Sequence, residues 1–240
     1  MNRRKLFCIP YAGGSAMIYR RWVPYLSNTI ELVPVELKGR GQRINEGFYA
    51  SFEEIVDEVA RFINKEASDT EYAVFGHSMG CVLAYEVACE LIRKGYKEPI
   101  HMFYSGRMPP SAEADSKIFH ILDDDSFIDE IVKYGGAPKE VWENQELRDL
   151  FLPILREDYR LMETRKIRES CERVSCNITV LNGIKDEDIC VEKLSDWNNF
   201  TKGSMKLALF QGDHFYINTE IPELLKLINA AIGSPIKSVS

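Results

Sequence analysis

The sequence has 240 residues, which is enough for one large α/β domain with a full hydrophobic core or for two small domains. Its net charge of −7 and its 45% apolar and 28% charged residues favour a soluble globular protein and argue against general binding to nucleic acids or anionic membranes. No apolar stretch has the length of a membrane span, and the run Leu6–Ile9, which stops at Pro10, is too short for the apolar region of a signal peptide. We therefore expect a cytoplasmic protein. A monomer is the default expectation.

Segments typical of strands and of helices alternate along the chain. Six strands are predicted, at Lys5–Ile9, Glu31–Leu37, Tyr72–Phe75, Ile100–Ser105, Ile178–Leu181 and Met205–Phe210. The accompanying helices are predicted at about 16–26, from the Ser51–Glu54 capping box to about 67, from 82 to about 95, and at about 221–232. This alternation predicts an α/β fold with a mostly parallel central sheet and helices on both faces.

One interval breaks the alternation. About 70 residues separate Ser105 from Asn177, whereas a crossover between parallel strands needs only about a dozen. Helical patterns occur there at Ser126–Tyr134, Val141–Leu155 and Glu157–Ile167. We predict a single domain over residues 1–240, with a core at about 1–106 and 176–240 and a helical lid insertion at about 107–175. The alternative is an extra helix or two covering the sheet.

The segment Gly76-His77-Ser78-Met79-Gly80 has the G-x-S-x-G pattern. It follows the predicted strand Tyr72–Phe75 and precedes the helical run Val82–Ile92, which is the context of a nucleophile elbow. The following helix N-terminus favours negative charge beside the serine. The pattern therefore predicts Ser78 as a nucleophile, the alternative being a glycine-flanked turn with an incidental serine.

A serine nucleophile needs a base, which in the hydrolase chain order follows both the serine and the acid. Of the four histidines, His77 lies inside the elbow, and His101 and His120 precede the expected acid. His214 follows the last predicted strand, where this order requires the base. By order, position and elimination, we predict His214 as the catalytic base.

The orienting acid is expected in the loop after an earlier strand. Asp186 lies in such a loop, after Ile178–Leu181, with Glu187 and Asp188 as rivals in the same acidic turn. No acid lies directly after the strand that ends at Ser105, and this absence favours Asp186.

Backbone N–H groups are needed to bind the oxyanion of a tetrahedral intermediate. We assign one to Met79, the residue after the nucleophile, and the other to Ala12, with Tyr11 as the alternative. Gly13 and Gly14 allow the backbone to turn close to a substrate. Glycines here could also cradle a phosphate, but G-x-G-x-x-G and the Walker pattern are both absent.

Several motifs, spread in order over essentially the whole chain, resemble those of the type II thioesterases, free-standing α/β-hydrolases associated with nonribosomal peptide and polyketide synthetases. Lys38 departs from the pattern, because the family usually has proline before Gly39-Arg40. The motifs that carry the resemblance include Pro10-Tyr11-Ala12-Gly13-Gly14-Ser15, Gly39-Arg40-Gly41, Gly76-His77-Ser78-Met79-Gly80, Tyr134-Gly135-Gly136-Ala137-Pro138, Asp158-Tyr159 and Gly212-Asp213-His214-Phe215.

The resemblance implies hydrolysis of thioesters on the phosphopantetheine arm of carrier-protein domains, which removes misprimed or stalled acyl groups from the synthetase. Ser78 would form an acyl-enzyme, with His214 as base, Asp186 as its partner, and Met79 and Ala12 as oxyanion donors. No metal or bound cofactor is implied, because phosphopantetheine belongs to the substrate.

Three alternatives stay open. A general carboxylesterase or lipase would share the fold and the triad, because fold does not determine function. A non-catalytic binding protein on the same fold is a second alternative, against which the complete set of candidate residues argues. A macrocyclising release domain is a third, although such domains are normally fused to a synthetase.

Overall fold

Six parallel strands form the central sheet in a computed structural model, which describes residues 3–112, 118–133, 139–166 and 173–233. The strands are β1 (Arg4–Ile9), β2 (Ile30–Pro34), β3 (Tyr72–His77), β4 (His101–Ser105), β5 (Asn177–Gly183) and β6 (Met205–Phe210). Their order in the sheet is β2-β1-β3-β4-β5-β6, and every neighbouring pair is parallel. The predicted parallel sheet is therefore confirmed, with all six strands near their predicted positions.

Helices cover both faces of this sheet, as the sequence predicted. The α-helices are α1 (Phe52–Glu66), α2 (Met79–Arg93), α3 (Asp124–Lys133), α4 (Lys139–Glu143), α5 (Gln145–Thr164) and α6 (Ile221–Ile232). Alternate residues of β1 belong to different core clusters: Phe7 packs with α1 and α2, whereas Leu6 packs with α6. This alternation is the period of two expected of a strand buried on both sides.

The structure corrects two helix predictions. The helix predicted at about 16–26 is a 3-10 helix over Ala16–Tyr25, and it contains Pro24, whose missing N–H cannot support an α-helical hydrogen bond. The two helices predicted at Val141–Leu155 and Glu157–Ile167 are wrong, because α5 is continuous from Gln145 to Thr164 and contains Pro153. Buried side chains lie on both sides of this proline, so tertiary packing keeps the helix continuous. The predicted helix ends Tyr134 and Ile167 lie outside the described residues.

Helices α3, α4 and α5 all lie between β4 and β5 in the chain, in the interval where the sequence predicts a helical insertion. Phe127 and Ile131 of α3, Trp142 of α4, and Leu152 and Leu155 of α5 form a separate hydrophobic cluster. The helical insertion thus has a small core of its own, distinct from the two clusters that flank the sheet.

The turn between β3 and α2 brings three backbone segments into direct contact. A Cβ atom on Gly76 would lie 2.0 Å from the Gly80 carbonyl oxygen, and one on Gly80 would lie 2.2 Å from that of Ile9. Between these glycines, Ser78 has a φ of 54°, the one positive φ of a non-glycine residue in the described ranges. Such a conformation costs about 1–3 kcal/mol and persists only where its surroundings enforce it.

We expect Gly76→Ala and Gly80→Ala each to lower the free energy of unfolding by about 3 kcal/mol, because backbone atoms cannot move aside for the added methyl group. Gly47→Ala is the matched control, since a Cβ there has no heavy atom within 4 Å, and its effect should stay within about 0.5 kcal/mol. Urea denaturation of the three variants measures both effects. Equal stability of all three would contradict this account of the turn.

Candidate active site

The backbone of Ser78 is fixed by two elements of the core. Its N–H donates to the Ser105 carbonyl at the end of β4 (2.9 Å), and its carbonyl accepts from Cys81 N–H in α2 (3.0 Å). Although Ser78 is the N-cap of α2, its side chain makes no capping hydrogen bond. The hydroxyl group is therefore not used to cap the helix, and Ser78 lines the same cavity as His214.

Asp186 and His214 form a hydrogen-bonded pair at the carboxyl ends of β5 and β6. The Asp186 Oδ2 atom lies 2.7 Å from His214 Nδ1, and Asp186 is only 6% exposed. The two loops are in close contact, since a Cβ on Gly183 would lie 2.2 Å from the Asp213 carbonyl oxygen. Because the carboxylate accepts from Nδ1–H, Nε2 is left as the nitrogen that can accept a proton in the cavity.

The rival acids occupy different surroundings. Glu187 and Asp188 are exposed, whereas Asp186 is buried. Asp188 lines the cavity, where partial desolvation of its carboxyl group, together with the charge of Asp186, raises its pKa. Its backbone N–H donates to Asp186 Oδ1 (3.3 Å). Of the three acids, the structure brings Asp186 to His214.

The other histidines are engaged elsewhere. His101 Nε2 lies 2.8 Å from Thr179 Oγ1, and His120 hydrogen-bonds with Glu163. His77 packs against His214 with 4.9 Å between the ring centroids, and its Nδ1 lies 2.9 Å from Ser105 Oγ. Burial, and to a smaller extent the nearby His214, lowers the pKa of His77 well below its usual value, so the His77 imidazole is neutral. The sequence did not reveal this contact between the two imidazole rings.

The loop Tyr11–Gly14 after β1, here called the oxyanion loop, lines the cavity beside Ser78 and Met79. It forms a turn closed by a hydrogen bond from Gly14 N–H to the Tyr11 carbonyl (2.9 Å), with Gly13 at a φ of 75°, as in a type II turn. Within the described residues, neither the Ala12 N–H nor the Met79 N–H donates a hydrogen bond to the protein. Both groups are thus available to an acceptor in the cavity.

The cavity has a volume of about 930 Å³ and extends from Ser78 to the helical insertion. That volume is within the range of small-molecule binding sites. Its lining is largely apolar, and the side chains that the insertion contributes include Trp142, Leu150, Phe151, Ile154, Leu155 and Met162. An acyl chain attached at Ser78 would therefore be surrounded by apolar groups.

A buried ion pair, not predicted from the sequence, lies behind the oxyanion loop. Arg40 donates to both carboxylate oxygens of Asp158 on α5, at 2.6 and 2.7 Å, and both side chains are almost fully buried. Burial alone would lower the pKa of Arg40, but the charge and hydrogen bonds of Asp158 outweigh it, so the pKa is raised. The sequence does contain one signal of this ion pair, because Asp158 lies on the apolar side of the helical pattern, where a carboxylate needs a partner.

The described residues provide neither a candidate metal site nor a membrane-spanning helix. No cluster of three or more histidine, cysteine, aspartate or glutamate side chains there could hold a metal ion. None of the helices in the same ranges has the length and apolar character needed to cross a membrane.

Comparison with known proteins places the chain in a family. The family model described as "Thioesterase domain" matches residues 4–232. The chain is 34% identical to the linear gramicidin dehydrogenase LgrE of Brevibacillus parabrevis, over 95% of this chain and 88% of that protein. The name of LgrE refers to a dehydrogenase, yet the loop after β1 in this chain lacks the G-x-G-x-x-G pattern of dinucleotide binding.

Solved structures agree with the family assignment. ClbQ, from the colibactin nonribosomal peptide and polyketide pathway, superposes with a TM-score of 0.91 at 33% identity, covering 97% of this chain and 98% of that one. YbtT, a type II thioesterase from the yersiniabactin pathway, gives a TM-score of 0.84 at 28% identity, covering 97% and 94%. This chain therefore belongs to the thioesterase family and is a thioester hydrolase of the α/β-hydrolase fold, related to the type II thioesterases of nonribosomal peptide and polyketide pathways.

Proposed function

We propose that this enzyme hydrolyses acyl thioesters on the phosphopantetheine arm of carrier-protein domains and so removes misprimed or stalled acyl groups from a nonribosomal peptide or polyketide synthetase in the cytoplasm. The observation that carries the proposal is that Ser78 and the Asp186–His214 pair meet at one large, mostly apolar cavity. The membership of ClbQ and YbtT in such pathways supports the choice of substrate.

In the acylation step, Ser78 Oγ attacks the thioester carbonyl carbon while His214 Nε2 takes the hydroxyl proton. Asp186, 2.7 Å from Nδ1, holds the imidazole ring in position and stabilises its charged form. The tetrahedral intermediate then collapses with cleavage of the C–S bond. The departing sulfur receives the proton from His214, so the free pantetheine thiol leaves and the acyl group stays on Ser78.

The negative charge of the tetrahedral intermediate develops on the former carbonyl oxygen. We assign the N–H groups of Met79 and Ala12 as its hydrogen-bond donors. Met79 is the first residue of α2, so the positive end of the helix dipole acts in the same direction. Because neither donor makes another hydrogen bond within the described residues, neither needs to rearrange when the charge forms.

In the deacylation step, His214 takes a proton from water, and the resulting hydroxide attacks the acyl-enzyme. The intermediate collapses to the carboxylic acid, and Ser78 recovers its proton from His214. In both steps of the reaction, every proton is transferred through the imidazole ring of His214, so the proposed mechanism requires no metal ion or bound cofactor. Phosphopantetheine enters and leaves as part of the carrier protein.

The first test compares three substrates with the same acyl group: an acylated carrier domain, the free pantetheine thioester and a p-nitrophenyl ester. We expect the highest kcat/KM for the carrier, and a loss of about 10⁴-fold or more in Ser78→Ala, because the nucleophile is removed. Hydrolysis of the oxygen ester alone would indicate a general esterase. Absence of any Ser78-dependent turnover would indicate a binding protein.

A second test separates the three neighbouring acids. Asp186→Asn should lower kcat by about 10²- to 10⁴-fold, since the amide no longer stabilises the imidazolium and favours the wrong tautomer of His214. Asp188→Asn is the matched control, two residues away at the cavity wall, and should change kcat little. Steady-state hydrolysis of the pantetheine thioester measures both. A larger loss in Asp188→Asn would reverse the assignment of the acid.

A further inference from the structure

We propose that Asp158, held by Arg40, is a positioning residue that keeps the oxyanion loop in the conformation in which Ala12 N–H can bind the oxyanion. The inference rests on the proposed function, specifically on the role of Ala12. It assigns to helix α5 a task beyond lining the cavity, because α5 carries the carboxylate that holds the loop.

The direct contact is a hydrogen bond from Gly13 N–H to Asp158 Oδ2, 2.7 Å long. This N–H belongs to the peptide plane between Ala12 and Gly13, which adjoins the plane that carries the Ala12 N–H. A type II turn differs from a type I turn by the orientation of that central plane. The carboxylate therefore selects the turn in which Gly13 has its φ of 75°.

Helix α5 contacts Gly13 at a second point. A Cβ atom on Gly13 would lie 3.0 Å from Leu155 Cδ1, one helical turn before Asp158. Leu155 and Asp158 are three residues apart and lie on the same side of α5. The loop thus has one charge-assisted hydrogen bond from α5 and, through Ala12, packs against the cluster that contains Leu155, so movement of α5 would disturb both.

Arg40 fixes the carboxylate. Its guanidinium group donates to both oxygens of Asp158, and Nη1 also donates to the Gly14 carbonyl at 3.2 Å. A carboxylate this deeply buried would be unstable without such a partner. Arg40 therefore holds the acid and the loop together, with the guanidinium bridging Asp158 and Gly14.

Stability alone does not explain this pair. Apolar side chains of similar volume often replace a buried ion pair with no loss of stability, or with a gain. Such a replacement could not accept the hydrogen bond from Gly13 N–H. A variant with apolar side chains at both positions therefore separates the contribution of the pair to packing from its effect on the conformation of the loop.

The experiment compares the wild-type enzyme with the double variant Arg40→Met/Asp158→Val, which removes both charges and changes the combined side-chain volume little. Arg160→Met is the matched control, because it lies on the same helix and loses a hydrogen bond to the Tyr49 carbonyl (3.0 Å) without touching the oxyanion loop. Thermal unfolding shows that each variant is folded. Two ligands are then titrated: an alkyl boronic acid, whose adduct with Ser78 is tetrahedral and anionic, and a pantetheine alkyl thioether, which has no developing oxyanion.

We expect the double variant to bind the boronic acid about 10- to 100-fold more weakly, to lose kcat in parallel, and to bind the thioether as the wild type does. Arg160→Met should retain both affinities. Unchanged boronic acid affinity, or an equal loss for both ligands, would overturn the inference and leave the proposed function standing. A wild-type enzyme with no affinity for the boronic acid would overturn the proposed function, and the inference with it.

If the double variant does not fold, Asp158→Asn provides the test. It keeps the shape of the side chain and one oxygen acceptor but removes the charge, so the hydrogen bond from Gly13 N–H becomes weaker. We expect a smaller loss of boronic acid affinity with thioether affinity unchanged. Equal affinities of Asp158→Asn and wild type for the boronic acid would overturn the inference.

Discussion

The contact between Gly80 and the end of β1 is the constraint on which the site depends. A Cβ on Gly80 would lie 2.2 Å from the Ile9 carbonyl oxygen and 2.7 Å from that of Pro10. The first turn of α2 therefore lies directly against the backbone that leads into the oxyanion loop. Since Ser78 and Met79 begin this turn, the same contact sets the distance from both of them to Ala12, the second candidate oxyanion donor.

The candidate base, its acid and the wall of the cavity are positioned by other parts of the molecule. The adjacent strands β5 and β6 bring Asp186 and His214 together across two closely packed loops, with His77 beneath the ring of His214. The helical insertion provides the apolar wall of the cavity and, through Asp158, a hydrogen bond to the oxyanion loop. Helix α5 thus contributes both to the cavity wall and to the support of the loop that carries the candidate donor Ala12, and a displacement of that helix would alter both.

The sheet, the elbow and His214 could be predicted from the sequence because each rests on a local pattern or on chain order. Spacing allowed Asp186 to be proposed but did not separate it from Glu187 and Asp188. The three acids differ in burial and in contact with His214, which only the structure shows. The Arg40–Asp158 pair joins residues 118 positions apart, so the pattern of α5 could indicate a buried carboxylate but not its partner. The sequence predicted a break between Leu155 and Glu157, whereas α5 is continuous through this point because side chains along its length pack in the core.

The most direct test of the mechanism is to detect the acyl group on Ser78 during a single turnover. The enzyme, in excess over an acylated carrier domain, is quenched in acid at successive times, and its peptides are analysed by mass spectrometry. The account predicts that the acyl mass rises and then falls on the peptide that contains Ser78 while the free acid accumulates. Release of the acid with no acyl group on that peptide at any time, and at an unchanged rate in Ser78→Ala, would contradict it.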